Sequence, residues 1–402
     1  MIHPFENIES LFSTPEVRET EKFLYPGIKQ FFIKSVPFRG KTTEVFACCG
    51  LPENASRDNP VPAVVLVHGG GGTALANWVE LWNKRGYAAI SMDTCGCIPT
   101  WSISFARTVQ SWMPHETGGP IGWGRFEAAA EPPEDQWGYH AVSAVIAAHS
   151  FLRSMPEVDP QRIGLTGISW GGVLSCIAAA LDDRFSWVAP VYGCGFLNTP
   201  DSTLGYFHPD ATDELRAKWC ELWDPARYLN RINIPAFFLA GTNDAAFPLD
   251  SLQKSLALIR DVRSLLYVEY SHNHVISWEE ETIFRFADAM SKGSALPRIG
   301  KIFQQDDCLV ADLTDAPEPV SVTFNWTRGS GWWNGRKWES STAEYCNGKI
   351  SAPIAKFCND RVAAPVPRCV SAAFFTVSFA DGSSFSTPVW QAQPATEENR
   401  NF

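Results

Sequence analysis

Apolar residues in the first part of the chain are grouped in short uninterrupted runs. Six of these runs are predicted strands, at residues 63–67, 87–92, 163–166, 187–192, 234–240 and 265–270. A continuous apolar run of this length is typical of a strand that is covered on both faces of a parallel sheet. Residues 75–85, 137–154 and 278–290 lie between or after the runs and are predicted helices. The alternation predicts an α/β fold with a doubly wound, mostly parallel sheet.

Two long segments interrupt this alternation, at residues 94–134 and 196–231. The first is rich in Gly, Pro and Trp and follows a strand at the sheet edge where open α/β sheets bind ligands. We therefore predict that Trp101, Trp112 and Trp123 bind the substrate. The alternative is that these tryptophans only fasten a long loop to the domain.

The pattern changes to a β-rich one in the last quarter of the chain. Four runs bounded by Gly, Pro, Asn and Ser are predicted strands, at residues 320–326, 337–344, 372–378 and 385–390. A chain of 402 residues is also longer than one hydrophobic core usually supports, which is about 250 to 300 residues. We predict an α/β domain at residues 1–295 and a small β-sandwich domain at residues 296–402.

The segment around Ser169 has the sequence of a nucleophile elbow. The strand at 163–166 is followed by Gly167-Ile168-Ser169-Trp170-Gly171 and then by a helix of small residues. In this G-x-S-x-G pattern the serine stands on a tight strand-to-helix turn, and a side chain two positions before or after it would collide with its surroundings. Ser169 is the predicted nucleophile.

Two further side chains complete a catalytic triad in chain order. Asp244 follows the strand at 234–240 and is the predicted acid, and the strand at 265–270 is followed by His272 and His274. Both histidines are candidates for the base, and we predict His274 because it is farther from the strand end and better able to turn back toward the serine. A metal site formed by the two histidines and Asp244 is the alternative, but it leaves the elbow serine without a role.

The turn at residues 68–73 has the sequence His-Gly-Gly-Gly-Gly-Thr and follows the strand at 63–67. Such a turn exposes backbone N–H groups that can stabilise an oxyanion. A phosphate-binding loop would require a Gly-Lys-Ser/Thr or a Rossmann spacing, and neither is present. His68 is predicted to be structural, because the base of such a triad comes late in the chain.

Composition narrows the choice of partners. A net charge of -11 argues against nucleic acid, which requires a basic face. The eleven cysteines are odd in number, and their spacing fits neither a disulfide framework nor a zinc site.

We find no signal peptide and no segment with the apolar length of a membrane span. The expected location is the cytoplasm, or outside the cell if a leader has been removed, and the oligomeric state stays open.

Together the elbow, the glycine turn, the Gly-Thr-Asn-Asp loop and the His-Asn-His turn resemble the dienelactone-hydrolase and acetyl-xylan-esterase-like branch of the α/β-hydrolases, over residues 30–292. The resemblance implies a serine nucleophile, no cofactor and ester substrates such as acetylated sugars. It also places the oxyanion donors on the backbone N–H of Trp170 and of Gly70 or Gly71. Dienelactone hydrolases have a cysteine nucleophile where this chain has Ser169, which argues against that particular activity.

The predicted function is therefore a serine-dependent carboxylic ester hydrolase that forms an acyl-enzyme and acts on a carbohydrate ester or a similar small molecule. Two alternatives remain open: a serine peptidase like prolyl oligopeptidase, and an inactive binding protein on the same fold. The C-terminal β-rich part resembles the fibronectin-like appendage of some hydrolases, a likeness that carries no chemistry.

Overall fold

The computed structural model describes residues 4–5, 8–20, 25–100, 112–202, 211–273, 279–305, 308–353 and 370–392. Eleven strands precede the C-terminal part: β1 (Val17–Glu19), β2 (Lys29–Phe38), β3 (Lys41–Gly50), β4 (Val61–Val67), β5 (Ala88–Met92), β6 (Cys97–Pro99), β7 (Trp112–Pro114), β8 (Val158–Ile168), β9 (Trp187–Val191), β10 (Ala236–Gly241) and β11 (Val262–Tyr267). The α-helices are α1 (Ala76–Asn83), α2 (Trp137–Ser154), α3 (Trp170–Leu181), α4 (Asp213–Trp223), α5 (Leu249–Leu256) and α6 (Glu281–Lys292).

The central sheet has the predicted doubly wound arrangement. Its strands lie in the order β1-β2-β3-β5-β4-β8-β9-β10-β11, and all neighbours from β5 to β11 are parallel. Every residue of β5, β9 and β10 is buried, as expected for strands with helices on both faces. The predicted α/β fold class is confirmed. No helix in the described part of the chain combines the length and apolar character needed to cross a membrane.

The parallel strands all end at the same edge of the sheet. The glycine turn follows β4, Ser169 follows β8, and the loops that carry Asp244 and His272 follow β10 and β11. Because parallel neighbours end side by side, four segments that are distant in sequence meet at this edge.

The C-terminal part adds ten short strands: β12 (Arg298–Ile299), β13 (Phe303–Gln305), β14 (Cys308–Thr314), β15 (Ser321–Thr327), β16 (Trp338–Thr342), β17 (Glu344–Cys346), β18 (Lys349–Pro353), β19 (Ala372–Ser378), β20 (Ser384–Ser386) and β21 (Trp390–Gln391). Strands β20, β19, β15 and β16 extend the central sheet beyond β11, and β21 pairs with β19. A second antiparallel sheet contains β12, β14, β18 and β17, with β13 paired to β14.

The sheet is thus continuous across the predicted domain boundary at residues 295 and 296. Strand β20 runs antiparallel to β11, with Ser386 opposite Ser264, and apolar side chains of both parts belong to one hydrophobic cluster. The division into two domains stays a prediction, but the C-terminal strands continue the central sheet and are not joined to it by the linker alone.

Close packing inside the sheet gives a test of the fold. A Cβ at Gly164 in β8 would overlap the indole of the fully buried Trp187 in β9, so we expect Gly164→Ala to destabilise the protein by about 1 to 3 kcal/mol. Thermal unfolding measures the effect. Gly331→Ala is the control, because a Cβ there meets no atom within 4 Å. Equal unfolding midpoints for the two variants would contradict this packing.

Candidate active site

Ser169 lies on a strained turn between β8 and α3. Its backbone has φ 59° and ψ -118°, a conformation that non-glycine residues rarely adopt. The turn is held in place because the Ser169 N–H donates to Val191 O at 2.8 Å and the Val173 N–H donates to Ser169 O at 3.1 Å. The side chain is largely buried, with 6% of the residue exposed. These features are those of a nucleophile elbow.

The glycines around Ser169 are required by close contact between backbones. A Cβ at Gly167 would overlap the backbone of Gly171, and one at Gly171 would overlap the carbonyl of Val67 at the end of β4. A Cβ at Gly172 would come within 2.9 Å of Gly193 Cα. Helix α3 can therefore begin directly against the sheet only because these positions have no side chain.

Asp244 is completely buried three residues beyond β10. Its Oδ1 accepts hydrogen bonds from the N–H groups of Ala246 at 2.8 Å and Phe247 at 2.9 Å. These two bonds fix the carboxylate, and Oδ2 is directed to His272 Nδ1 at 2.9 Å. The predicted position of the acid agrees with this geometry.

The histidine between Ser169 and Asp244 is His272, and the prediction of His274 is corrected on this point. His272 Nε2 lies 2.9 Å from Ser169 Oγ, while Nδ1 lies 2.9 Å from Asp244 Oδ2. The prediction extended the preceding strand to residue 270, whereas β11 ends at Tyr267. Four residues, 268–271, therefore lie between the strand end and His272, which lets the chain turn back over the serine. His274 lies outside the described residues.

The two contacts of His272 favour one position for the proton on its ring. An ionised Asp244 can only accept, so His272 carries its proton on Nδ1 and offers the Nε2 lone pair to the Ser169 hydroxyl. The imidazole is flanked by the rings of Tyr192 and Phe247, with centroids 5.4 and 5.6 Å away. About a quarter of the His272 side chain is exposed, which leaves an approach for a substrate.

The glycine turn after β4 lies beside the nucleophile. It is closed by a hydrogen bond from Gly72 N–H to Gly69 O at 3.2 Å, and Gly71 has φ 77°. A Cβ at Gly70 would lie 2.9 Å from Cδ1 of Trp170, the residue after the serine. Trp170 is the first residue of α3, so the N-terminus of this helix lies beside the glycine turn. The assignment of the oxyanion donors to the backbone N–H groups of Trp170 and of Gly70 or Gly71 stays a prediction.

Comparison with known proteins agrees with this fold. Residues 21–199 match the acetyl xylan esterase (AXE1) family, and residues 122–291 match the prolyl oligopeptidase family. Acetyl esterase Axe7A of Xylanibacter ruminicola is 21% identical over 174 residues, which are 41% of this chain and 38% of that protein. The match therefore spans well under half of this relative's length.

Two solved structures have a similar fold. The acetyl xylan esterase of Paenibacillus sp. R4 is 20% identical, with a TM-score of 0.56, over 71% of this chain and 92% of that one. Acetyl xylan esterase 1 of Thermoanaerobacterium sp. JW/SL YS485 is 16% identical, with a TM-score of 0.52, over 71% and 94%. These similarities show that the chain has the fold of an α/β hydrolase.

One cluster in the described part of the chain has the residue types of a metal site, namely His68, Asp93 and Cys95. The His68 lone pair is already used, because Nε2 accepts the Thr94 N–H at 3.0 Å while Nδ1 lies 2.8 Å from Gly69 O. Burial lowers the pKa of His68, so the ring is neutral. The cluster therefore braces the glycine turn, as expected for a structural His68.

Asp93 is the centre of this brace, and the sequence analysis missed it. Its Oδ1 accepts from Thr73 Oγ1 at 2.8 Å, and its Oδ2 accepts from the N–H groups of Cys95 at 2.9 Å and Cys97 at 2.8 Å. The sequence could have indicated this role, because Asp93 is an acidic residue directly after the buried strand β5, at the edge of the sheet where ligands bind.

The structure describes two of the three tryptophans that are predicted to bind the substrate. Trp101 lies outside the described residues. Trp112 and Trp123 pack edge to face with centroids 5.0 Å apart, and Trp123 Cγ lies 4.0 Å from the place of a Cβ at Gly70. The buried indole N–H of Trp123 has no hydrogen-bond partner among the residues that the structure describes. Trp123 therefore lies beside the glycine turn, and its role in substrate binding stays a prediction.

The role of His272 as the base can be tested directly by covalent labelling of Ser169. A fluorophosphonate reacts with a serine whose hydroxyl is activated by a base, so we expect His272→Ala to slow labelling of Ser169 by about 100- to 10,000-fold. Mass spectrometry of the labelled peptide gives the rate. His115→Ala is the control, because this half-buried histidine packs against Phe32 away from the triad. Loss of labelling in His274→Ala, with His272→Ala unaffected, would restore the original prediction.

Proposed function

We propose that this α/β hydrolase is a serine-dependent carboxylic ester hydrolase that works through an acyl-enzyme. The observation that carries the proposal is the unbroken hydrogen-bond chain from Asp244 through His272 to Ser169, with 2.9 Å on each side of the ring. A serine hydroxyl is a weak nucleophile by itself, and this chain supplies the base that it needs.

In the first half of the proposed reaction, Ser169 Oγ attacks the ester carbonyl carbon while His272 Nε2 takes the hydroxyl proton. The tetrahedral intermediate collapses, the bond to the alcohol oxygen breaks, and Nε2 returns the proton to the leaving alcohol. Water then attacks the acyl-enzyme with His272 again as base, which releases the acid and regenerates Ser169. Asp244 stabilises the imidazolium that forms in each half.

The charge that develops on the carbonyl oxygen requires nearby donors. We assign this role to the backbone N–H of Trp170 and to that of Gly70 or Gly71. The contact between the glycine turn and the Trp170 side chain supports the assignment, and so does the brace from His68 and Asp93 that holds the turn. Donors that are fixed before the reaction need no reorganisation when the charge appears.

The proposed substrate is an acetylated carbohydrate. The match of residues 21–199 to the acetyl xylan esterase family supports this class. The pair formed by Trp112 and Trp123 places aromatic rings beside the glycine turn, which suits contact with the apolar face of a sugar ring.

A serine peptidase is the second candidate, because residues 122–291 also match the prolyl oligopeptidase family. The same triad can attack an amide, and the match covers Ser169, Asp244 and His272. Hydrolysis of a proline-containing amide, measured beside that of an ester, separates the two candidates. A protein that reacts with neither substrate nor a fluorophosphonate would be the inactive binding protein.

The ester hydrolase proposal is tested with a short-chain chromogenic ester. We expect turnover by the wild-type protein and a fall in kcat of about four to six orders of magnitude in Ser169→Ala, because the nucleophile is lost. Ser175→Ala is the control, since this serine on α3 donates to Gly171 O and lies outside the hydrogen-bond chain. Unchanged turnover in Ser169→Ala would contradict the proposal.

The carbohydrate proposal is tested by acetate release from acetylated xylo-oligosaccharides. We expect Trp123→Ala to raise KM for the sugar ester by about 3- to 10-fold, the effect of one lost aromatic contact, with KM for a simple alkyl ester unchanged. Phe303→Ala is the control, because this aromatic residue of β13 in the C-terminal part is 40% exposed and lies outside the active-site loops. Hydrolysis of alkyl esters with no release from any sugar ester would reject the substrate class.

A further inference from the structure

We infer that residues 331–338 of the C-terminal part are a positioning element of the active site, which acts through Asn243 and Glu269 on the loops that carry Asp244 and His272. The inference rests on the proposed function. Neither family match extends beyond residue 291, so this element is separate from the matched region. The side chains that it contacts are positioning residues, because they touch neither the substrate nor the reacting atoms.

The first contact is with the acid loop. Asn243, directly before Asp244, donates from Nδ2 to Asn334 O at 3.0 Å and to Arg336 O at 2.8 Å. Both amide hydrogens are used in this way, and the two carbonyl acceptors fix the orientation of the amide. The acid loop is thus tied to two points of the C-terminal element.

The second contact is with the histidine loop. Glu269, three residues before His272, accepts the Trp338 N–H on Oε1 at 3.0 Å. Glu269 itself has φ 50°, which is unfavourable for a residue with a side chain. A conformation of this kind persists only when its surroundings hold it, and the bond to Trp338 is one such restraint.

The two loops are also joined to each other, which closes a ring of hydrogen bonds. The Glu269 N–H donates to Thr242 Oγ1 at 2.8 Å, and this hydroxyl donates to Asn243 Oδ1 at 2.7 Å. The Asn243 N–H donates to Tyr270 O at 3.1 Å. The C-terminal element therefore holds the acid and histidine loops as one unit and not as two separate loops.

The element is itself rigid enough for this role. Trp333 is buried, and the guanidinium of Arg336 lies 3.4 Å from the centre of its ring. Arg336 Nε donates to Gly331 O at 3.0 Å, and Trp338 begins β16, which pairs with β15. Because a catalytic misplacement of about 1 Å can lower a rate by about 100-fold, a fixed support next to both loops affects the chemical step.

The test compares Asn243→Ala and Glu269→Ala with the wild-type protein. We expect each change to lower kcat for a short-chain ester by about 10-fold and to leave KM unchanged, since the triad and not the binding surface is displaced. The rate of fluorophosphonate labelling of Ser169 should fall in parallel. The double variant should lose less than the product of the two single losses, because both residues belong to one ring.

Two further variants separate positioning from general stability. Glu269→Gln keeps an oxygen acceptor for the Trp338 N–H and should retain most of the wild-type kcat. Asn325→Ala removes bonds to Thr376 and Ser340 inside the C-terminal sheet, so it should lower the unfolding temperature and leave kcat unchanged.

The outcomes distinguish this inference from the proposed function. A wild-type protein that hydrolyses esters, with Asn243→Ala and Glu269→Ala at wild-type kcat, overturns the positioning role alone. Equal losses of kcat in Asn325→Ala and Asn243→Ala also overturn it, because stability would then explain both. Absence of turnover and of labelling in the wild-type protein overturns the proposed function and the inference with it.

Discussion

The structure depends on the close contact between the first turn of α3 and the end of β4. Gly171 has room only for a hydrogen against the carbonyl of Val67, and this contact holds Ser169 in its strained conformation. The same contact sets the glycine turn after β4 beside the residue that follows the nucleophile. One steric constraint between two backbones therefore places both the attacking oxygen and the donors proposed for the oxyanion.

The residues around this contact form a system of braces with a common design. Asp93 holds the glycine turn through Thr73 and two backbone amides, and Asp244 is itself held by two backbone amides. In each case a buried carboxylate accepts hydrogen bonds from backbone N–H groups of the segment that follows a strand. Loops that follow parallel strands are kept in place here by polar side chains and not by apolar packing alone.

The parts that could be predicted from the sequence are those specified by local pattern. Apolar runs predicted the parallel strands, and the glycines around Ser169 and the position of Asp244 after β10 predicted the nucleophile and the acid. To choose the correct histidine, the end of β11 had to be known to within three residues. The sequence does not mark this end, because Val268 and Tyr270 continue the strand pattern past Tyr267. The joining of β20 to β11 was not predictable, since one long-range pair, Ser264 with Ser386, carries no local signal.

The continuous sheet has a consequence for how the protein behaves toward other chains. Without β20, strand β11 would present an unpaired edge of a large parallel sheet, which is a template for pairing between molecules. The C-terminal strands move that edge to β16, where Glu339, Ser340 and Thr342 are exposed, and the opposite edge is the three-residue strand β1 with Arg18 and Glu19. In the described part of the chain, both open edges are thus short or polar, and the apolar strands between them are protected from aggregation.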